Sequence, residues 1–270
     1  TSKGANRHPH KEGYIYEDLD ITNEQAVTAI ITKYNPTAVI NTAAMTNVDA
    51  CETAKEACVA LNVNAVKYLL KACKQQQIHL VHLSTDFIFD GENGPYREED
   101  QPNPLSFYGQ SKWDSEKVLI DADYTNWAIL RTIIVYGVAA DMSRSNIILW
   151  AKQALEKGDK INVVDDQFRM PTLAEDLADA CILAIQKQAK GIYNISGKDF
   201  MSILDLVNRV ADFFKLDKSL ITPSKSNTLN QPAKRPPRTG FVLDKSIKEL
   251  GYNPHSFEEG LAVVKEQLGR

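Results

Sequence analysis

A chain of 270 residues with 43% hydrophobic content is long enough to bury a large core, as one big domain or two small ones. Its net charge of -4, with Lys and Arg interspersed among the acids, argues against a nucleic-acid surface as its main function. It has no apolar run of about eighteen residues, so no transmembrane helix is expected.

Four cysteines, Cys51, Cys58, Cys73 and Cys181, show no C-x-x-C spacing and read as small buried hydrophobes of a reducing, cytoplasmic compartment. The five histidines, His8, His10, His79, His82 and His255, form no metal-ligand pattern, and no structural metal is expected. No signal peptide is legible.

In chain order, residues 13–19, GYIYEDL, alternate as a strand would, and Asp20-Ile21-Thr22 leads into a helix capped by Thr22, with Gln25 at the capping-box position. Ala38 to Ile40 predicts a short apolar strand. The loop Asn41-Thr42-Ala43-Ala44 then consists of small residues that let backbone approach a ligand. A helix from about Cys51 to Gln76 carries Ala, Leu and Val at helical spacing, with Asn62 and Asn64 inside it. Ile78 to Leu83 predicts a buried strand ending in Ser84-Thr85-Asp86. After a polar, Gly/Pro-containing loop, a helix beginning near Pro104 carries Tyr108 and Lys112 one turn apart.

Trp127 to Tyr136, WAILRTIIVY, is an apolar run interrupted by Arg131 and Thr132, as in a strand covered on both faces. Alternating strands and helices predict an α/β fold with a doubly wound parallel sheet and ligands at the carboxyl ends of its strands. Beyond Gly137 come a loop over Asp141 to Ser145, a helix to Lys157, a strand Ile161 to Val164, the segment Asp165 to Thr172, a helix Leu173 to Gln188, and a strand Gly191 to Ile195 that returns to the main sheet. Residues 200–270 read as mostly helical, broken by a Pro- and Lys/Arg-rich loop, Pro223 to Arg238. The main domain is expected over 1–137 and 173–195, with a smaller discontinuous domain over 138–172 and 196–270.

The chemistry centres on the strand end and the helix after it. A free phenol titrates near pH 10, so a tyrosine that works at neutral pH is helped by a fixed positive charge nearby. Lys112, four residues beyond Tyr108, falls on the same helix face. Thr85, with Ser84 as second choice, is placed to hydrogen-bond a substrate oxygen. A carbonyl held there would be polarised and protonated by Tyr108 as hydride arrives. Such pairs also arise by chance in chains of this length, yet of the ten tyrosines only Tyr108 has lysine four positions on.

Asn41-Thr42-Ala43-Ala44, Ser84-Thr85-Asp86, Tyr108 with Lys112, and Leu130-Arg131-Thr132 ahead of Val135-Tyr136-Gly137 together resemble the extended short-chain dehydrogenase/reductases. Within them, Val39 to Glu52 (VINTAAMTNVDACE), His82 to Gly91 (HLSTDFIFDG), Pro102 to Lys112 (PNPLSFYGQSK) and the D-Q-F-x-x-P-T run from Asp166 to Thr172 are similar to the dTDP-4-dehydrorhamnose reductase family, in that family's order. The resemblance implies a Rossmann-like dinucleotide-binding domain, a substrate domain, and reduction of a nucleotide-linked 4-keto-6-deoxysugar using NADP, with NAD as an alternative. Tyr108 would be the proton donor, and Lys112 would hold the nicotinamide ribose and the phenolate. Thr85 would orient the keto oxygen, and Ala43, Ala44, Asn62 and Ser84 would join Tyr108 and Lys112 along the cofactor. Thr46, Asp86 and Arg131 match positions beside the substrate. The basic loop at Arg235 could meet pyrophosphate or be simply solvated. A homodimer is a candidate assembly.

The resemblance departs at Ile134, where an aromatic residue is usual, at Met45, where Tyr is common, and at Arg169-Met170, where small residues are usual, so the sugar stays open. Phe87 follows Asp86 where related 4,6-dehydratases carry Glu, which favours hydride transfer over elimination. Epimerases of this fold keep the Tyr/Lys pair, and the regulatory subunit of methionine adenosyltransferase uses the fold without catalysis, so both remain alternatives. None of the thirteen glycines forms G-x-G-x-x-G. The expectation is that the chain as given starts about thirty residues late, the size of one strand-helix unit. Ser2, Lys3 and Arg7 would then follow the second strand and suit a 2′-phosphate; an ordinary basic terminus is the other reading.

Overall fold

The computed structural model describes residues 13, 15–138, 146–229 and 231–269. Ser2, Lys3, Arg7, His8, His10 and residues 141–145 lie outside them.

The chain runs α1 (Glu24–Tyr34), β1 (Ala38–Asn41), α2 (Val48–Thr53), α3 (Lys55–Val59), a π-helical turn (Ala60–Asn64), α4 (Ala65–Gln76) and β2 (His79–Thr85). It continues with α5 (Phe107–Ile120), β3 (Trp127–Thr132), β4 (Val135–Tyr136), α6 (Ile147–Glu156), β5 (Ile161–Val164), β6 (Phe168–Arg169), β7 (Thr172–Leu173), α7 (Ala174–Gln186) and β8 (Gly191–Ile195). It closes with β9 (Met201–Ser202), α8 (Ile203–Phe214), β10 (Ile221–Ser224) and α9 (Phe257–Leu268).

The main sheet is parallel, in the order β1-β2-β3-β8. Side chains alternate across it, so each strand feeds two cores. Leu80 and Ile129 point to one core, packed by Val27 and Ile31 of α1 and by Val66, Leu69 and Leu70 of α4. Val81 and Leu130 point to the other, packed by Leu177, Ala180, Cys181 and Ala184 of α7 and by Phe241, Leu243, Leu250 and Tyr252. A separate core joins α6, α8 and α9 through Ile148, Leu206, Val210 and Leu261, beside the parallel pair β5 and β10. The fold is therefore an α/β layered structure with a Rossmann-like parallel sheet.

Four expected elements differ. Residues 15–20 form no strand, because their alternation meets no neighbouring strand among the described residues, and Ile15 is 75% exposed. Asn23, not Thr22, caps α1 by accepting the Ala26 N–H at 3.1 Å, while Asp20 binds the Thr22 hydroxyl at 2.6 Å. The helix expected over 51–76 is broken at Ala54 and again by the π turn. Successive pieces keep an apolar face inward, so the sequence period runs through the breaks unseen. Trp127 to Tyr136 is two strands, with β4 leaving the main sheet to pair with β7. Between them Ile134 sits at φ 31°, a backbone region that β-branched side chains rarely adopt.

Candidate active site

Helix α5 brings its first turn hard against the end of β2. Ser106 starts it by accepting the Gly109 N–H at 3.2 Å, after prolines at 102 and 104 have kept the chain out of helix. Gly109 permits the approach. A Cβ at that position would lie 2.2 Å from the Phe87 carbonyl oxygen. Tyr108, its neighbour, is thereby delivered to the strand end, edge-on to Phe87 with ring centroids 5.7 Å apart.

A cavity of about 540 Å³ opens at the carboxyl ends of β2 and β3. Ser84, Thr85, Asp86, Tyr108 and Lys112 line it, with Thr42, Ala44, Thr46 and Val48 from the loop after β1 and Thr132, Ile134, Val135 and Leu177 opposite. Tyr108 is 8% exposed and Lys112 3%. Burial pushes the Tyr108 phenol well above its ordinary value, the neighbouring Thr85 hydroxyl opposes this, and the charge of Asp86 adds to it. Thr85 also accepts the Phe87 N–H at 3.3 Å, which fixes its hydroxyl at the rim. Burial lowers Lys112 to about 8. Its Nζ donates to the Leu83 carbonyl at 2.7 Å and lies 3.2 Å from His82 Nε2.

The remaining residues singled out in the sequence divide. Ser84 Oγ is buried at the cavity wall without a protein partner, an arrangement suited to a ligand group. Thr46 lines the cavity, and Ala43 faces a neighbouring groove with Asn41, Thr42 and Val39, so the loop backbone passes between two depressions. Asn62 does not line the cavity. Its amide is committed to the protein, accepting the Met45 N–H at 2.7 Å and donating to Ser111 Oγ at 2.9 Å and Met45 O at 3.1 Å, so it pins the loop instead. Arg131 is a second correction. It is 1% exposed, bound to both oxygens of Glu116, at 2.8 to 3.2 Å, and to Glu98 O, and does not line the cavity.

Asp86 sits in the wall, 3.7 Å from Arg169 Nε, and also accepts from the Thr85 and Thr239 hydroxyls. Burial raises its pKa, against the pull of Arg169. Arg235 is held by Asp49 of α2 at 2.7 and 3.2 Å, which fastens the basic loop beside the cavity. Sequence reading missed His82, Ser111, Ser115, Asp49 and Thr239, and named Asn41 and Arg169 without their partners. The one available signal was a histidine inside the apolar run of β2.

A parallel α/β sheet with serine, threonine, tyrosine and lysine gathered at the ends of its central strands defines the short-chain dehydrogenase/reductase class. Comparison with known proteins narrows this. Residues 2–269 match the family described as RmlD substrate binding domain, and the chain belongs to it as an oxidoreductase of the dTDP-4-dehydrorhamnose reductase family. The dTDP-4-dehydrorhamnose reductase of Aggregatibacter actinomycetemcomitans is 31% identical over 93% of this chain and 87% of that protein. Methionine adenosyltransferase 2 subunit beta of Xenopus laevis is 31% identical over 77% of this chain and 64% of that protein. The crystal structure of dTDP-4-dehydrorhamnose reductase from Bacillus anthracis in complex with NADP superposes with a TM-score of 0.86 at 25% identity, covering 92% of this chain and 87% of that one.

Proposed function

We propose that the chain reduces the 4-keto group of a dTDP-linked 6-deoxysugar with NADPH. The observation that carries this reading is the Thr85–Tyr108 hydroxyl pair on the wall of the cavity that Lys112 and the unpartnered Ser84 also line. When bound, NADPH supplies hydride. Lys112 and Ser84 would hold its nicotinamide end and the small Thr42–Ala44 loop its neighbouring part, as a backbone with little side-chain bulk permits. Ser2, Lys3 and Arg7 remain candidates for its 2′-phosphate.

Thr85 orients the substrate oxygen, and Tyr108 gives it a proton. Burial suits Tyr108 to this, because a phenol whose pKa is raised stays protonated at neutral pH and releases its proton only to a strongly basic oxygen such as a developing alkoxide. Thr46 and Asp86 would border the sugar, and Arg235, already neutralised by Asp49, would shape the loop beside it. The smaller unit, 138–172 with 196–270, would be the substrate half. No helix among the described residues is long and apolar enough to cross a membrane. A cytoplasmic site of action and a homodimeric assembly are part of this proposal.

The test is incubation of the chain, preceded by any further amino-terminal residues it natively carries, with NADPH and dTDP-4-dehydro-L-rhamnose. Loss of NADPH absorbance that Tyr108→Phe abolishes is the expected result. Cofactor binding without turnover would overturn the reading in favour of a regulatory role, for which the likeness to methionine adenosyltransferase 2 subunit beta is the supporting observation. Epimerisation without net cofactor use would overturn it in favour of an epimerase.

A further inference from the structure

Behind Lys112 lies a chain of buried polar groups that the proposed reaction does not use. His82, on β2, is 1% exposed. Its Nδ1 lies 3.1 Å from Asn41 Nδ2, and its Nε2 lies 3.0 Å from Ser115 Oγ and 3.2 Å from Lys112 Nζ.

Two neighbouring hydrogen bonds decide where the protons are. Asn41 Oδ1 accepts the Ala43 N–H at 3.2 Å, which turns the amide NH₂ toward His82, so Nδ1 must accept. Ser115 Oγ donates to the Lys112 carbonyl at 2.7 Å, which leaves that hydroxyl oxygen to accept from Nε2. Both ends of the ring therefore require the same neutral tautomer, with its proton on Nε2. A charged imidazolium would set an N–H against the Asn41 amide hydrogens.

The same Nε2–H faces Lys112. An ammonium has three donors and no lone pair, so it opposes this N–H; a neutral amine offers it a lone pair, keeps one N–H on Leu83 O and has another for the cavity. The other titratable groups around Nζ do not undo this. Glu116, one turn on along α5, is paired with Arg131 at 2.8 Å, and from α3 the neighbour is the Cys58 thiol, 3.3 Å from Ser111 Oγ. Tyr108 shares the helix face on the cavity side.

We propose that His82 is a positioning residue which, locked by Asn41 as the Nε2–H tautomer, holds Lys112 through its neutral amine and so sets the pH at which the lysine of this site gains its charge. Burial acts in the same direction on the lysine and keeps His82 itself uncharged. The link to turnover rests on the reductase reading, whereas the tautomer does not.

The experiment is nitrogen NMR of the full chain labelled at histidine and lysine. In the wild type His82 is expected to carry its proton on Nε2 and not to titrate between about pH 5 and pH 9. A proton on Nδ1, or a titrating His82, overturns the proposal even if every variant misfolds. Asn41→Asp would offer a carboxylate to Nδ1, draw the proton there and turn the Nε2 lone pair toward Nζ. The Lys112 pKa should then rise by about one unit or more, and by less than about half as much in Asn41→Asp/His82→Phe, which keeps the added charge but lacks the ring nitrogens. Equal rises in the two backgrounds would show simple charge attraction and overturn the proposal. These readings need no substrate, so loss of the reductase reading and loss of this one are separate outcomes.

Discussion

Two arginine–carboxylate pairs are buried among the described residues, and they differ in what else they touch. Arg131 grips both oxygens of Glu116 at hydrogen-bond distance beside the main sheet, donates to the Glu98 carbonyl and lies over the Phe89 ring. Arg169 stands 3.7 Å from Asp86 and directs its NH groups to the carbonyls of Phe168, Pro236 and Pro237, so Asp86 bonds to the hydroxyls of Thr85, on the cavity wall, and Thr239, buried behind it. The first pair is closed on itself, and its place is in stability. The second ties the 235–239 loop to the strand end that carries Thr85, where a carboxylate with a raised pKa faces the ligand space. The two are equally buried, and what separates them is that Asp86 lines the cavity while Glu116 and Arg131 do not.

The largest expected effect breaks this comparison if it fails. Tyr108→Phe should lower turnover by roughly 10²- to 10⁴-fold while urea unfolding stays within about 1 kcal/mol of wild type. Glu116→Ala should do the reverse. It strands a buried guanidinium and should cost about 3–5 kcal/mol in unfolding, with KM little changed in the folded fraction. A Glu116→Ala protein that keeps full stability and loses substrate affinity would place the closed pair in the site.

Lys112 sharpens the comparison through pH. Its pKa is about 8 in the fold against 10.5 as a free side chain, so between those values the unfolded chain binds more protons and stability rises with pH. Below about 8 the cost is fully present; above 10.5 it is gone. The stability of wild type relative to Lys112→Met should therefore climb by roughly 3 kcal/mol across that window, followed by urea unfolding at a series of pH values. A flat difference would mean an ordinary, solvated lysine. The smallest effect is expected at Arg235→Ala, which opens a part-exposed pair with Asp49: about 1 kcal/mol or less in stability, with a several-fold rise in KM and turnover nearly kept.

Much of this was legible in the chain. Strand–helix alternation and the run from His79 to Lys112 announced a parallel sheet and a polar site at its strand ends, because periodicity and the i to i+4 spacing are local properties. The failures were at places where a residue's partner lies far along the chain. Arg131 looked available to a substrate until Glu116 closed on it, and Asn62 looked like a cofactor contact until Met45 and Ser111 used its amide. Met45 and Ser111 are 17 and 49 residues from Asn62, and no sequence period connects them.

By itself, then, the sequence determined which residue types could do the chemistry and on which elements they would ride, since helical and strand geometry follow from short-range sterics and apolar spacing. Tertiary structure alone decided which of them face the cavity, which are closed in pairs, and that the Lys112 amine bonds back toward His82 and Leu83. Those outcomes depend on desolvation and on proton positions, which exist only once distant segments have packed together.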